Sequence, residues 1–286
     1  MYKMKAKKKK HMGKKAAVFP LYLFTTVFVL VPLIYMVVLS FLTKGEVWGV
    51  VGEVTLDNYK KIIEPVYLKT FVESIKLALI STFFVMLLGY PCGYSMAKLG
   101  EIGQKRMMVL IGLPFLTNSL LRLFGWVIVF RSNGLLDKLL MAIGLTEKPL
   151  KLLYSYPAVV VGMIYALLPF MILSVYSGAE KMDWSVVEAA RDLGASKFKA
   201  FWTVTFPMTL PGLLSGVVLT FVPTMGLFFI ADILGGNKVV LIGSVIYTAM
   251  TKERDWPFAA ALAVVLMLLT SLMLYLSRRF SKVNDR

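Results

Sequence analysis

Apolar residues fall in six runs, at 16–42, 70–97, 107–130, 157–177, 208–231 and 257–277, separated by polar stretches. Each run is long enough to be read as a bilayer-spanning helix, for which about 18 apolar residues suffice. Prolines lie inside the runs, Pro32 in the first and Pro169 in the fourth among them. Membrane helices tolerate this because neighbours re-satisfy the freed backbone groups. The second run ends in Gly89-Tyr90-Pro91-Cys92-Gly93, which predicts a kink or a close helix contact. The polar stretch after the first run predicts a short amphipathic helix near Leu56–Ile63.

One polar stretch stands apart: DWSVVEAARDLGASKFKAFWTVTFPMTLPG, residues 183–212. It predicts two short helices joined at a glycine. Asp183 or Ser185 caps the first, and Ser185 with Glu188 has the S-x-x-E spacing of a capping box. The Ala-rich turn after Glu188 has high helix propensity. Gly194 stands where a left-handed C-cap is wanted. Ser196 starts the second helix, and Pro207 with Pro211 bounds its far end.

Composition supports the membrane reading. The chain is 58% apolar with a mean hydropathy of +0.74, against about 45–50% apolar for a soluble domain. The net charge of +16 does not point to nucleic acid, because the basic residues gather at the N-terminus and between apolar runs. Segments placed inside (1–15, 98–106, 178–207, 277–286) carry 19 Lys and Arg, and those placed outside (44–68, 131–156, 231–256) carry 10. That bias puts both termini in the cytoplasm. The domain organisation is then a disordered basic cytoplasmic tail at 1–15, a first transmembrane helix at 16–43, and an external segment at 44–70. A membrane core follows at 71–277 with a cytoplasmic loop at 178–207, and then a tail at 278–286. The first run is too long for the apolar region of a cleaved secretory signal, which is about 7–15 residues. Anionic lipid is a further contact for the basic tail.

Catalytic chemistry is missing from the pattern. No G-x-x-x-x-G-K-[ST] phosphate loop occurs. No His/Cys cluster has metal-site spacing, and the single histidine, His11, lies in the lysine-rich tail. The single cysteine, Cys92, forms no internal disulfide and reads as a small packing residue. The chain reads as a transport subunit that takes its energy from a partner, not as an enzyme. An ion-coupled secondary transporter is the alternative of another class, and it expects acids near mid-bilayer as coupling sites. Here the acids sit at span ends or in loops. A structural membrane scaffold, a third class, needs no energy-supplying partner.

Glu188-Ala189-Ala190, then Gly194, then Val204-x-Phe206-Pro207 resembles the EAA motif of bacterial ABC importer permeases, with the same three-residue and nine-residue spacers. Val204 and Phe206 replace the usual Ile and Leu and stay apolar. LDNYKKIIEPVY (56–67), LPFLTNSLLRLFGW (113–126), EAARDLGASK (188–197), MGLFFIADILGG (225–236) and RDWPF (254–258) together resemble the spermidine/putrescine permease family. The resemblance implies an all-α polytopic protein with six transmembrane helices, a type I (MetI-like) ABC importer permease of the bacterial cytoplasmic membrane. It implies two copies of an ATP-binding subunit, a second permease subunit and an external polyamine-binding protein. It also implies no cofactor on this chain, ATP and Mg being bound by the ATPase. The same machinery serving iron, sulfate or an amino-acid derivative is the alternative within the class. By the resemblance, Glu188, Ala189, Ala190, Asp192, Gly194 and Pro207 form the element that docks on the ATPase.

Other residues are candidates from their places alone. Asp232 and Glu73 lie at outer span ends, where a carboxylate attracts an ammonium group; Lys76, one turn on, can pair with Glu73. Trp126, Tyr165 and Phe228, with Phe229, can line a cation path through cation–π contacts, packing being the alternative for each. Arg122 lies inside the third run. A polyamine would be repelled by it, so a structural ion pair or snorkelling is expected there. Trp256 reads as an interfacial anchor.

Overall fold

The computed structural model describes residues 19–45, 49–236 and 238–284. The tail expected at 1–15, with His11, lies outside them, as do the last two residues of the tail at 278–286. The chain divides into two compact units, residues 1–63 with 246–267 and residues 64–245 with 268–286.

In the first unit, helix α1 (Phe19–Ser40) leads into an antiparallel hairpin of β1 (Leu42–Lys44) and β2 (Val50–Val54), with Lys44 opposite Val50. The hairpin is not visible in the apolar pattern. Helix α2 (Asp57–Ile62) follows, where the sequence predicts a short helix. The Asn58 side-chain amide donates to the Ser40 and Leu42 carbonyls at 3.0 and 2.9 Å, tying α2 to the end of α1. Asp255 accepts from the Phe258 N–H at 3.1 Å, and the Lys61 ammonium lies 4.0 Å from the Phe258 ring centre.

The second unit holds α3 (Pro65–Ala97), α4 (Glu101–Gly112), α5 (Ser119–Phe130), α6 (Leu135–Ala142), α7 (Tyr156–Glu180), α8 (Trp184–Asp192), α9 (Lys197–Gly226) and α10 (Phe228–Gly235). Helices α11 (Ile242–Thr251) and α12 (Trp256–Asn284) each belong partly to both units. Its centre is the packing of α3, α7 and α9. Small residues let the backbones approach, as membrane helices require where no hydrophobic force drives them together. A Cβ at Gly93 would lie 2.6 Å from the Ile172 carbonyl oxygen, and one at Gly178 would lie 3.0 Å from the Gly212 Cα. The expected breaker cluster is therefore a contact, and α3 runs through Pro91 unbroken. Leu77, Val159, Met163, Ile230 and Leu234 form one buried cluster, and Val85, Leu167, Met171, Val175 and Leu213 another. Cys92 is exposed rather than packed within the chain.

Among the described residues, six helical stretches are long and apolar enough to cross a membrane: Phe19–Ser40, Pro65–Ala97, Ser119–Ala142, Tyr156–Glu180, Lys197–Gly226 and Trp256–Ser277. The third departs from the expected 107–130. Helix α4 ends at Gly112, a 3-10 turn covers Leu113–Leu116, and α5 starts afresh at Ser119. Pro114 cannot donate into the preceding turn. Thr117 is extended, and the Asn118 side chain caps α5 by accepting from the Leu120 N–H at 2.8 Å. The fifth run, expected at 208–231, breaks at Leu227, between α9 and α10.

Pro207 does not end the second helix of the 183–212 stretch. Helix α9 passes through it after a π turn at Phe201–Thr205, where the Phe206 N–H bonds the Phe201 carbonyl. In α1 the same turn occurs at Thr26–Leu30, ahead of Pro32. A proline lacks the N–H and clashes with the carbonyl four residues back. Widening the preceding turn moves the carbonyls and keeps the helix going.

Candidate functional site

The stretch from Asp183 is a knuckle of two helices. Asp183 caps α8 and accepts from the Ser185 N–H at 3.0 Å, so Ser185 lies inside the first turn. Hydrogen bonds donated by Ser185, first from its hydroxyl and then from its backbone N–H, hold the Asp183 carboxyl below its ordinary value. The capping box expected between Ser185 and Glu188 is not formed, since the cap position belongs to Asp183. Glu188 is exposed, and its carboxylate accepts no hydrogen bond among the described residues.

Gly194 adopts φ +87°. Its N–H bonds the Arg191 carbonyl at 2.9 Å, and the Ala195 N–H bonds that of Ala190 at 3.0 Å. This pair of bonds closes a helix end through a left-handed residue. Nothing lies within 4 Å of a Cβ placed there, so the backbone angle alone calls for glycine. Ser196 caps the start of α9, accepting from the Lys199 N–H at 3.2 Å.

The outer side of the knuckle is apolar and open. Leu193 is 90% exposed, Phe198 75% and Trp202 50%. Glu188, Ala189, Asp192 and Gly194 are exposed beside them, and Pro207 is exposed on α9. The inner side is anchored to α3. The Trp184 ring lies 5.8 Å from that of Tyr94, and the Lys98 ammonium stands 4.3 Å from Tyr94 and 5.4 Å from Trp184. The Phe201 ring meets Tyr90 and Tyr94 edge-on at 6.1 and 6.0 Å, and the Tyr90 hydroxyl pairs with the Thr209 hydroxyl at 2.9 Å. The anchoring aromatics on α3 are not marked by any motif. Their one signal is the four-residue spacing of Tyr90, Tyr94 and Lys98.

The candidate pathway residues do not share one cavity. Tyr165 and Arg122 line a cavity of about 360 Å³ with Phe115, Phe170 and Phe229. Glu73 lines another of about 330 Å³ with Lys69, Tyr156 and Lys238, and lies 3.8 Å from the Lys76 ammonium. Asp232 accepts from the Ser244 hydroxyl at 3.0 Å. Trp126 packs between Phe130 and Tyr165, with ring centres 5.0 and 5.5 Å away. Phe228 packs against Gly243, and it is Phe229 that reaches the Arg122 cavity. Of the ion pair or snorkelling expected at Arg122, the ion pair is not seen among the described residues, where no carboxylate lies within ion-pair distance of it. A third cavity, about 540 Å³, lies between α7 and α9 and is lined by Ser174, Ser177, Lys181 and Ser215, none of which the sequence singles out.

Knuckle, spans and cavities resemble a known design. Residues 89–282 match the model of the family described as "Binding-protein-dependent transport system inner membrane component". The chain belongs to this family. It is therefore a multi-pass membrane subunit of an ABC transporter, a transport subunit and not an enzyme. Family members work with an ATPase and a binding protein. The spermidine/putrescine transport system permease protein PotB of Escherichia coli (strain K12) is 39% identical over 259 residues, 91% of this chain and 94% of that protein. The protein of the same name from Haemophilus influenzae is 38% identical, with 91% of each chain covered. A permease chain in a crystal structure of a bacterial alginate ABC transporter, in complex with its oligosaccharide-bound periplasmic protein, matches with a TM-score of 0.75. It covers 96% of each chain at 16% identity, and this likeness shows the fold alone.

Proposed function

We propose that this chain is the membrane-spanning permease subunit of an ATP-driven importer of polyamines such as spermidine and putrescine. The observation that carries the substrate class is 39% identity over 91% of the chain to a spermidine/putrescine permease. The mechanism is alternating access. Two ATPase subunits grip the knuckles of this chain and of a second permease subunit, and an external binding protein delivers the solute. The exposed Leu193, Phe198 and Trp202 beside Glu188, Ala189, Ala190, Asp192 and Gly194 support the docking role. The anchoring of Trp184 on Tyr94 and Lys98 supports transmission of that motion into α3.

The chain itself binds no cofactor in this reading, and ATP with Mg is held by the ATPase. Energy enters because the ATPase has different affinities for the inward- and outward-facing states, as any ligand-driven shift requires. The knuckle and both termini face the cytoplasm, which the excess of Lys and Arg in those segments supports. Asp232 and Glu73 attract ammonium groups at the external side. Tyr165 and its aromatic neighbours, with Trp126 behind it and Phe228 beside Phe229, line the path further in.

The test is uptake. Proteoliposomes holding the assembled transporter, with ATP on the ATPase side and binding protein on the other, accumulate radiolabelled spermidine in this reading. Accumulation of sulfate or an amino acid with no response to spermidine rejects the substrate class. Uptake that follows an ion gradient without ATP rejects the importer class.

A further inference from the structure

Arg122 is the group that the proposed function leaves unused. It is half-buried on a membrane helix, with its guanidinium carbon 5.8 Å from the Phe115 ring centre and 5.7 Å from that of Tyr165. Its Nε is buried and makes no hydrogen bond. The cavity it lines offers Ser119 and the Tyr165 hydroxyl as its other polar side chains; the remaining walls are apolar. No carboxylate pairs with it among the described residues. A cation inside a bilayer is costly and faces a partner or a watery cavity. What the site lacks among the described residues is an anion. It arrives on an apolar body, because Phe115, Phe170 and Leu219 form an exposed apolar rim around the cavity. The cationic cargo of the proposed function does not fit beside an uncompensated guanidinium.

We propose that Arg122 receives a side-chain carboxylate of the second permease subunit, which closes this cavity and neutralises the charge beside Tyr165. This rests on the reading that two permease chains pair. A guanidinium with a free Nε–H offers the two parallel donors that a carboxylate takes up, which a lysine cannot match.

The test uses the complete transporter, co-expressed and reconstituted in nanodiscs with this chain tagged. The expected result for Arg122→Gln is at least a tenfold loss of co-purified second permease, with this chain still present in the membrane at wild-type amount. Arg122→Lys should lose less. Arg122→Glu should fail like Arg122→Gln and be restored when one particular Asp or Glu in the partner's membrane helices is changed to Lys. That rescue separates a pairing defect from a folding defect. Wild-type assembly by Arg122→Gln, or no rescue of Arg122→Glu across all the partner's membrane acids, overturns the proposal. It is also overturned if wild-type transporter loses the second subunit merely on removal of anionic lipid, since the anion is then a headgroup. Import of a carboxylate solute by wild type but not by Arg122→Gln, with assembly intact, overturns both this proposal and the polyamine reading. Uptake of spermidine by wild type with Arg122→Gln indistinguishable from it overturns this proposal alone.

Discussion

Truncating Leu193 separates docking from folding. The side chain is 90% exposed at the C-terminal end of α8, so it contributes little to the stability of the isolated chain. Leu193→Ala removes three carbons. At about 0.8 kcal/mol per buried CH₂, a docked Leu193 stabilises the complex by roughly 2 kcal/mol more than alanine would. That is about a 30-fold rise in Kd for the ATPase. Exposed substitutions of this kind shift folding stability by no more than about 0.5 kcal/mol. Phe198, 75% exposed, predicts an equal or larger loss when cut to alanine. The assay is a titration of purified ATPase onto nanodisc-embedded permease, with thermal unfolding of the permease measured in parallel. A Kd within twofold of wild type for both variants refutes the reasoning. So does a weakened Kd that is matched by a large drop in Tm, since the side chain then acts through the fold.

Other outcomes follow from the same geometry. Gly194→Ala places a side chain at φ +87° and should cost about 1–2 kcal/mol, read as weaker ATPase binding; Gly194→Asn should cost less, since Asn tolerates the left-handed region. Asp183→Ala removes the cap of α8 and should be seen as faster amide exchange in the first turn of α8. The Asp183 carboxyl titrates below its ordinary value in the folded chain. Its contribution is therefore present above the unfolded value and lost as pH falls through the lower folded one, so docking should be insensitive to this group at neutral pH and weaken only in acid. Gly212→Leu should block the approach of α9 to α7, where Gly178 leaves 3.0 Å, and abolish assembly in the membrane.

How much of this is legible in the chain differs from place to place. The turn at Gly194 is readable because a helical pattern stops at a glycine and restarts at a capping serine. The cap at Asp183 is half readable: Asp183 and Ser185 both qualify by type, and only the backbone angles choose between them. The start of α5 is hidden, because Leu113–Leu116 continues the apolar run and a proline fits the first turn of a new helix as well as the end of an old one. Pro207 misleads for the opposite reason, since a π turn absorbs it. Whether Phe228 or Phe229 faces the Arg122 cavity depends on the break at Leu227, which no residue type signals. Nothing in the run around Arg122 signals that it has no carboxylate partner among the described residues.

Photocrosslinking from the knuckle tests the central claim most directly. A benzophenone amino acid is placed at position 193 or 198, and in a control at position 145, where Leu145 is also exposed but lies in the segment assigned to the external side. Illumination of the assembled transporter should join 193 and 198 to the ATPase, and 145 should give no ATPase product. ATPase crosslinks from 145 with none from 193 or 198 would contradict the account.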